Sequence, residues 1–316
     1  MAQNFLRVKF FCGGDPGSVF LTHVFIPFEA YAVTAVLPVP TKPSLLDIFG
    51  NGPYSKLGIS HEDYHADRSC VSVSSLKEML RSPAHYRAYL DIGRKETPSL
   101  MFGTAAHVRL LEPQDFAQRY VVAPPGDRRT KAYKDFEAAN AGKAILTADE
   151  AAAIERIAAN VDAHQGAAAL LRRGLKEVTL IWQDAETGIW IKARPDCLAI
   201  SLDTGVCLDL KTTEDASPNA FVRACASYSY DLQAAVYLDG LREVFGRDFD
   251  FCFLPAEKSE PHGVALYGAP EDMLESGRRK FRRALRQLAE CRQTNTWPSY
   301  QPEGDYEVLE WPRWAR

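Results

Sequence analysis

Three carboxylates and a lysine fall within one short stretch of the chain. Glu177, Asp196, Asp209 and Lys211 lie in β-type runs, and a helix-like segment after them carries Gln233 and Tyr237. The triplet Asp209-Leu210-Lys211 sits in the run VCLDLKTT, and residues two apart in a strand share a face. The Asp209 carboxylate and the Lys211 ammonium therefore point into the same cleft. A carboxylate so placed can ligate a hard divalent cation, while the lysine orients an attacking water or offsets negative charge on phosphorus. An ion pair on a solvated strand has the same pattern, so the triplet alone decides nothing.

Asp196 follows Pro195 and abuts the apolar run CLAI, and the turn Asp203-Thr204-Gly205 joins its strand to that of Asp209. A two- or four-residue loop puts the two aspartates on one face, whereas a three-residue loop does so only with a bulge. An ideal ladder through this turn also leaves them offset by ~10 Å or more, so a bend near Pro195 is required. The plain alternative is a turn aspartate. Glu177 opens the preceding strand, either as a third acidic ligand or as an exposed strand end. His107 lies in LMFGTAAHVRLL, where a lone histidine is more often packed or capping than a ligand. Gln233 and Tyr237, four residues apart, share a helix face. There they bracket a nucleotide, hold the lysine, or edge a core helix.

The elements that must position these residues follow from periodicity and breakers. VSVSSLKEMLRSPAHYRAYL reads as a helix capped by Ser74 or Ser75, a break at Ser82-Pro83, and a second short helix. Helices are expected over 100–111, 148–171, 220–245 and 270–293, with a basic loop over 120–134. Strands are expected at 177–183, at 189–194 continuing to 202, at 206–211, at 249–255 and at 263–267. Residues 1–54 differ in composition, rich in Phe, Val, Gly and Pro, and end in the breakers PVPTKP and GNGPYS. They read as an N-terminal extension of uncertain structure ahead of a domain over 55–316.

The chain has 316 residues, 46% hydrophobic and 25% charged, with a net charge of -4. That balance suits an ordinary soluble globular protein and excludes a wholesale basic coat, so nucleic acid must meet a local positive patch. Two patches qualify: Arg128, Arg129 and Lys131 in the loop, and Arg279, Arg282 and Arg283 on the last helix. A merely solvated helix face is the rival reading of the second. The seven cysteines are scattered without a CxxC pair, as small buried hydrophobes in a reducing compartment are. No apolar run reaches the ~20 residues of a membrane span, and no compact signal region stands at the start, so a cytoplasmic location is expected.

Taken in order, GTAAH, a Glu, P-D, D-L-K and Q-x-x-x-Y resemble the PD-(D/E)xK nuclease superfamily. The pattern is more narrowly similar to its RecB-like branch and RecE-type exonucleases of the exodeoxyribonuclease VIII kind. SVSSLKEMLRSPAHYRAYL, MFGTAAHVRLLEP and GDRRTKAYKDF strengthen the likeness, which spans about residues 57–300. The resemblance implies an α/β restriction-endonuclease-like core, a mixed and mainly antiparallel sheet flanked by helices. It implies Mg²⁺ or Mn²⁺ bound by His107, Asp196, Asp209 and the Leu210 carbonyl, with Lys211 catalytic, Glu177 supporting, and Gln233 and Tyr237 lining the site. The implied substrate is linear duplex DNA degraded from an end for phage-type recombination, beside a single-strand annealing recombinase and as a homo-oligomer. A structure- or single-strand-specific endonuclease and an inactive DNA-binding module are the alternatives. Some RecB-like nucleases carry an iron–sulfur cluster built partly from late cysteines; with only Cys291 late in this chain, none is expected.

Overall fold

In the computed structural model, residues 44–46, 52–93, 95–201, 204–301, 304 and 306–311 are described. The chain divides into residues 1–41 and 42–316. The first part, and most of the expected 1–54 extension, lies outside the described residues. Leu45 is nonetheless buried against Tyr64, Cys70 and Ile181, and the first strand begins at Tyr54. The packed body thus reaches upstream of residue 55.

In chain order the strands are β1 Tyr54–Lys56, β2 Val71–Ser72, β3 Tyr120–Val122, β4 Ala144–Leu146, β5 Leu175–Lys176 and β6 Thr179–Gln183. β7 Trp190–Ala193, β8 Cys197–Ile200, β9 Gly205–Thr213, β10 Asp250–Glu257 and β11 Tyr267–Gly268 follow. The helices are α1 His61–Ala66, α2 Val73–Arg81, α3 Pro83–Ile92, α4 Pro98–Leu111, α5 Pro113–Arg119 and α6 Lys131–Ala139. Then come α7 Ala148–Ala163, α8 Gln165–Arg173, α9 Pro218–Ser227, α10 Tyr230–Phe245 and α11 Glu271–Thr294.

Two sheets carry the site. One has the order β1-β6-β7-β2 and the other β11-β10-β9-β8-β5; the pair β3-β4 stands apart. Pairing is mainly antiparallel, but β9 runs parallel to β10, and β2 parallel to β7. This is the mixed α/β architecture expected. The second sheet is covered on both faces. Leu198, Cys207, Phe251 and Phe253 pack against Phe221, Leu232, Val236 and Phe281 from α9, α10 and α11. On the other face Leu208, Leu210 and Leu254 meet Ala105 and Val108 of α4 and Ile154 and Ile157 of α7. The period-2 alternation of a strand thus puts Asp209 and Lys211 on the α10 face and Leu208 and Leu210 on the α4 face.

Several boundaries depart from the sequence reading, each for a local reason. The cap of α2 is Ser72, not Ser74 or Ser75: its hydroxyl accepts from Ser75 N while Ser75 reaches back to Ser72 N, a reciprocal box. Ser82 caps α3, with Pro83 at the first helical position. The 148–171 helix breaks at His164, whose ring nitrogen accepts from Ala167 N and caps α8. The 220–245 helix breaks at Ser229, held at φ 51. Lys131 and Lys134 belong to a helix capped by Thr130, not to the basic loop. The expected strand at 263–267 shrinks to a Val264–Ala256 bridge and a two-residue pairing at Tyr267–Gly268.

The most consequential departure is at Arg194-Pro195-Asp196. The run expected from 189 to 202 is two strands in different sheets, β7 pairing with β6 and β8 pairing with β9. Proline has no N–H to give a ladder and sits where the chain leaves one sheet for the other.

Candidate active site

The β8–β9 ladder pairs Ile200 with Gly205 and Cys197 with Leu208. Residues 201–204 therefore form a four-residue connection, closed by Ser201 N donating to the Thr204 carbonyl. One step beyond the Cys197–Leu208 pair, Asp196 stands across from Asp209. The ~10 Å offset expected from a three-residue turn is absent, because the connection spans 201–204 instead of 203–205, which moves the pairing register by three residues. Asp203 itself lies outside the described residues.

The two aspartates are held differently. Asp196 Oδ2 accepts from Leu210 N at 2.6 Å and lies 3.3 Å from His107 Nε2. Burial opposes its charge, but His107, Lys211 and the Leu210 N–H together keep its carboxyl below the usual carboxylate range. Asp209 is fully buried. Gln233 Nε2 donates to its Oδ1 at 2.7 Å, and Tyr237, one turn further along the same helix, is buried. Its Oδ2 touches the Lys211 ammonium without hydrogen-bond geometry, leaving a buried oxygen with an open lone pair. Burial, and behind it the Asp196 charge, push the Asp209 carboxyl up despite Lys211.

Two cations occupy the space between these oxygens. His107 Nδ1 lies 2.8 Å from the Gly103 carbonyl and Nε2 lies 2.9 Å from the Leu210 carbonyl. Both neighbours are acceptors, so both ring nitrogens carry hydrogen and the ring is an imidazolium. Burial works against that charge, yet Asp196 and the Gly103 carbonyl outweigh it and raise the pKa to about 9. Lys211 Nζ adds a contact of 3.4 Å to the same Leu210 carbonyl. Burial is again opposed, here by Asp209 and Asp196, and the lysine stays charged with a raised pKa. Gly103 lets α4 approach closely enough for this: a Cβ there would lie 3.1 Å from Thr212 Oγ1 of β9.

Glu177 flanks the pair. Its N–H donates to the Asp196 carbonyl at 3.2 Å, and it adopts a left-handed backbone, φ 53, between β5 and β6. Burial raises its carboxyl to about 8, and Asp196 adds to the rise against the pull of Arg194. Arg194 was missed by the sequence reading. It is buried, donates to Thr179 Oγ1 and the Ile59 carbonyl, covers the Tyr64 ring at 4.3 Å and lies 3.8 Å from Glu177. Its position between a strand end and Pro195 was the available signal.

Among the described residues no three His, Cys, Asp or Glu side chains form a ready metal cluster. The available donor set is two carboxylates and the Leu210 carbonyl, with His107 beside them. Hard oxygen donors of this kind suit Mg²⁺ or Mn²⁺.

The basic patches are elsewhere. Arg129 is exposed and forked onto Asp127, close in sequence to Arg128 and Lys131. On α11, Arg282 is bound to Asp184 and reaches Glu186 at 3.9 Å, Arg279 faces Glu275 at 3.9 Å, and Arg283 is exposed. Arg282 thus braces the β6–β7 turn, the end of that hairpin remote from Glu177 and Arg194. At ~3.3 Å per residue, the length of β6 sets that turn roughly 17 Å from Glu177, so Arg282 is engaged away from the aspartates.

Comparison with known proteins agrees with this geometry. No curated protein matches the sequence. A solved Eubacterium rectale protein, named as a candidate exonuclease, is similar in fold with a TM-score of 0.54 at 16% identity. That likeness covers 81% of this chain and 96% of that one. A second solved structure, SSO0001, aligns at 15% identity over 73% of this chain and 89% of that one, with a TM-score of 0.27, too low to bear on the fold. Residues 72–309 match the PDDEXK-like domain of unknown function (DUF3799), and on that match over most of its length the chain belongs to this PDDEXK-like family.

Proposed function

We propose that this protein is a metal-dependent deoxyribonuclease that hydrolyses phosphodiester bonds at the Asp196–Asp209–Lys211 centre. The observation that carries the reading is the convergence of Asp196, Asp209, Lys211 and the Leu210 carbonyl, drawn from two antiparallel strands, at one partly exposed spot. Asp196, Asp209 and the Leu210 carbonyl would hold Mg²⁺ or Mn²⁺, joined by His107 Nε2 once that nitrogen gives up its proton. The ion, when bound, supplies Lewis acidity toward the phosphate oxygens. Gln233 fixes the Asp209 carboxylate by donating to Oδ1, and Tyr237 lines the site from the same helix face. Lys211, kept as an ammonium, donates toward the attacking water and stabilises charge that develops on the phosphate. Glu177 shapes the Asp196 side of the site through its backbone.

The likeness to RecE-type exonucleases supports the finer reading: linear duplex DNA degraded from an end, exposing single strand for an annealing recombinase. Arg128, with Arg129 beside it and Lys131 at the start of the following helix, is a second candidate for phosphate contacts, since Arg282 is committed to Asp184. Digestion of matched linear and circular duplexes with Mg²⁺ tests the end requirement. Loss of linear DNA with the circle intact supports an exonuclease, and nicking of the circle supports an endonuclease on the same fold.

A further inference from the structure

Next to Lys211 lies an aromatic pair that the hydrolytic chemistry does not use. Tyr230 opens α10, and its ring packs against Phe221 and Phe253 at centroid distances of 6.2 Å each. Lys211 Nζ stands 5.0 Å from that ring and Lys77 Nζ 5.2 Å from it. Tyr228, the last residue before the Ser229 corner, lies against Tyr230 with centroids 5.7 Å apart and planes 30° from parallel. Unlike Tyr230, Tyr228 is 62% exposed. The left-handed Ser229 between them, φ 51, turns the chain so that both rings fall on one side of the corner. Two short steps, 5.0 and 5.7 Å, thus lead from the ammonium of Lys211 to an open aromatic surface.

We propose that Tyr228, backed by Tyr230, is a stacking platform for a nucleobase of the strand being cut, next to the phosphate held at Lys211. The proposal rests on the nuclease reading above and deepens it. A large aromatic face left to solvent beside a buried lysine is the arrangement by which proteins seat single-stranded nucleic acid, because every base offers a π-face and every linkage a negative charge. The ammonium groups of Lys77 and Lys211 near the Tyr230 ring complement the phosphates flanking such a base. A base inside a duplex has both faces covered by its neighbours in the stack, so a face is open only at an end or once the base has unstacked. The platform therefore selects a nucleotide at a frayed or single-stranded strand end over an intact duplex interior.

The test uses the full chain and a short single-stranded DNA carrying one 2-aminopurine, whose fluorescence falls on stacking, measured in EDTA so that no cleavage occurs. Tyr228→Ala is expected to weaken binding roughly 5- to 150-fold, the range that stacking of one base spans on alanine substitution. It should also abolish the quench, while Tyr228→Phe keeps both. Since Tyr228 is exposed, neither change should alter thermal stability. If the wild type cleaves DNA with Mg²⁺ and Tyr228→Ala binds and quenches as the wild type does, the platform is wrong and the nuclease reading stands. If Tyr228→Phe fails as badly as Tyr228→Ala, the hydroxyl and not stacking is at work, and the platform is again wrong. A wild type that neither cleaves nor binds DNA overturns both.

Discussion

Removing the Asp67 carboxylate should cost this domain more stability than almost any other single polar change. Asp67 and Lys192 are a buried ion pair, their side chains 3% and 4% exposed, at 3.3 Å. Lys192 Nζ also donates to the Tyr64 carbonyl at 2.5 Å and the Asp67 carbonyl at 2.8 Å. The carboxylate further accepts from Leu45 N, Ser69 Oγ and Cys70 N. One group thus ties residue 45 and the segment after α1 to β7, two residues ahead of Arg194. Asp67→Ala leaves a buried ammonium with only carbonyl partners and three donors without an acceptor. Breaking one side of such a pair costs about 3–5 kcal/mol. Replacing Lys192 as well, in Asp67→Ala/Lys192→Met, removes the stranded charge and should recover a good part of that loss. Burial opposes the Asp67 charge, but Ser69, Lys192 and the two backbone N–H groups hold its carboxyl below the usual range. Its contribution is accordingly complete above its unfolded pKa of ~3.9 and lost as pH falls through the lower folded value. Urea midpoints at neutral pH for wild type, single and double variants measure this. A loss below about 1 kcal/mol for Asp67→Ala, the scale of an exposed pair, would refute the reasoning.

Lys211→Ala should lower turnover by orders of magnitude while calorimetric Mg²⁺ or Mn²⁺ binding survives, because the ammonium acts mainly on the transition state. Lost metal affinity with normal turnover at saturating metal would reverse that assignment. The urea midpoint of a chain truncated to begin at residue 42 is the reference for a longer truncation. Deleting 1–54 should lower it, since Leu45 leaves its contacts with Tyr64, Cys70 and Ile181 and β1 loses its first pairing residue. Equal midpoints for the two truncations would show that Leu45 adds nothing.

The sequence was most legible where chemistry and periodicity coincide. Asp209-Leu210-Lys211 alternates as a strand must, and the structure puts Leu210 in the core and both charges on the opposite face. Gln233 and Tyr237 do share a helix face, and Gln233 reaches Asp209. The register of Asp196 was not legible, because the place and the length of a turn both move every cross-strand partner and Asp-Thr-Gly declares neither. Nor did the sequence show that Pro195 passes the chain from one sheet to another, since adjacent apolar runs look alike whichever neighbour they pair with. Arg282 looked like part of a phosphate track because its partners, Asp184 and Glu186, are far away in sequence. Arg194 was invisible for the converse reason: its role lies in Thr179, Tyr64 and Glu177, contacts that only folding creates.

The central claim is metal-dependent phosphodiester hydrolysis at the Asp196–Asp209 pair. It is tested most directly by the release of nucleotides from end-labelled linear duplex DNA by wild type and Asp209→Asn, each with Mg²⁺ and with EDTA. Asn keeps the side-chain shape and can still pair with Gln233, so the fold should survive while a ligand charge is removed. The account predicts release by the wild type with Mg²⁺ only, and none by a folded Asp209→Asn. Release by Asp209→Asn at the wild-type rate, or by the wild type in EDTA, would contradict it.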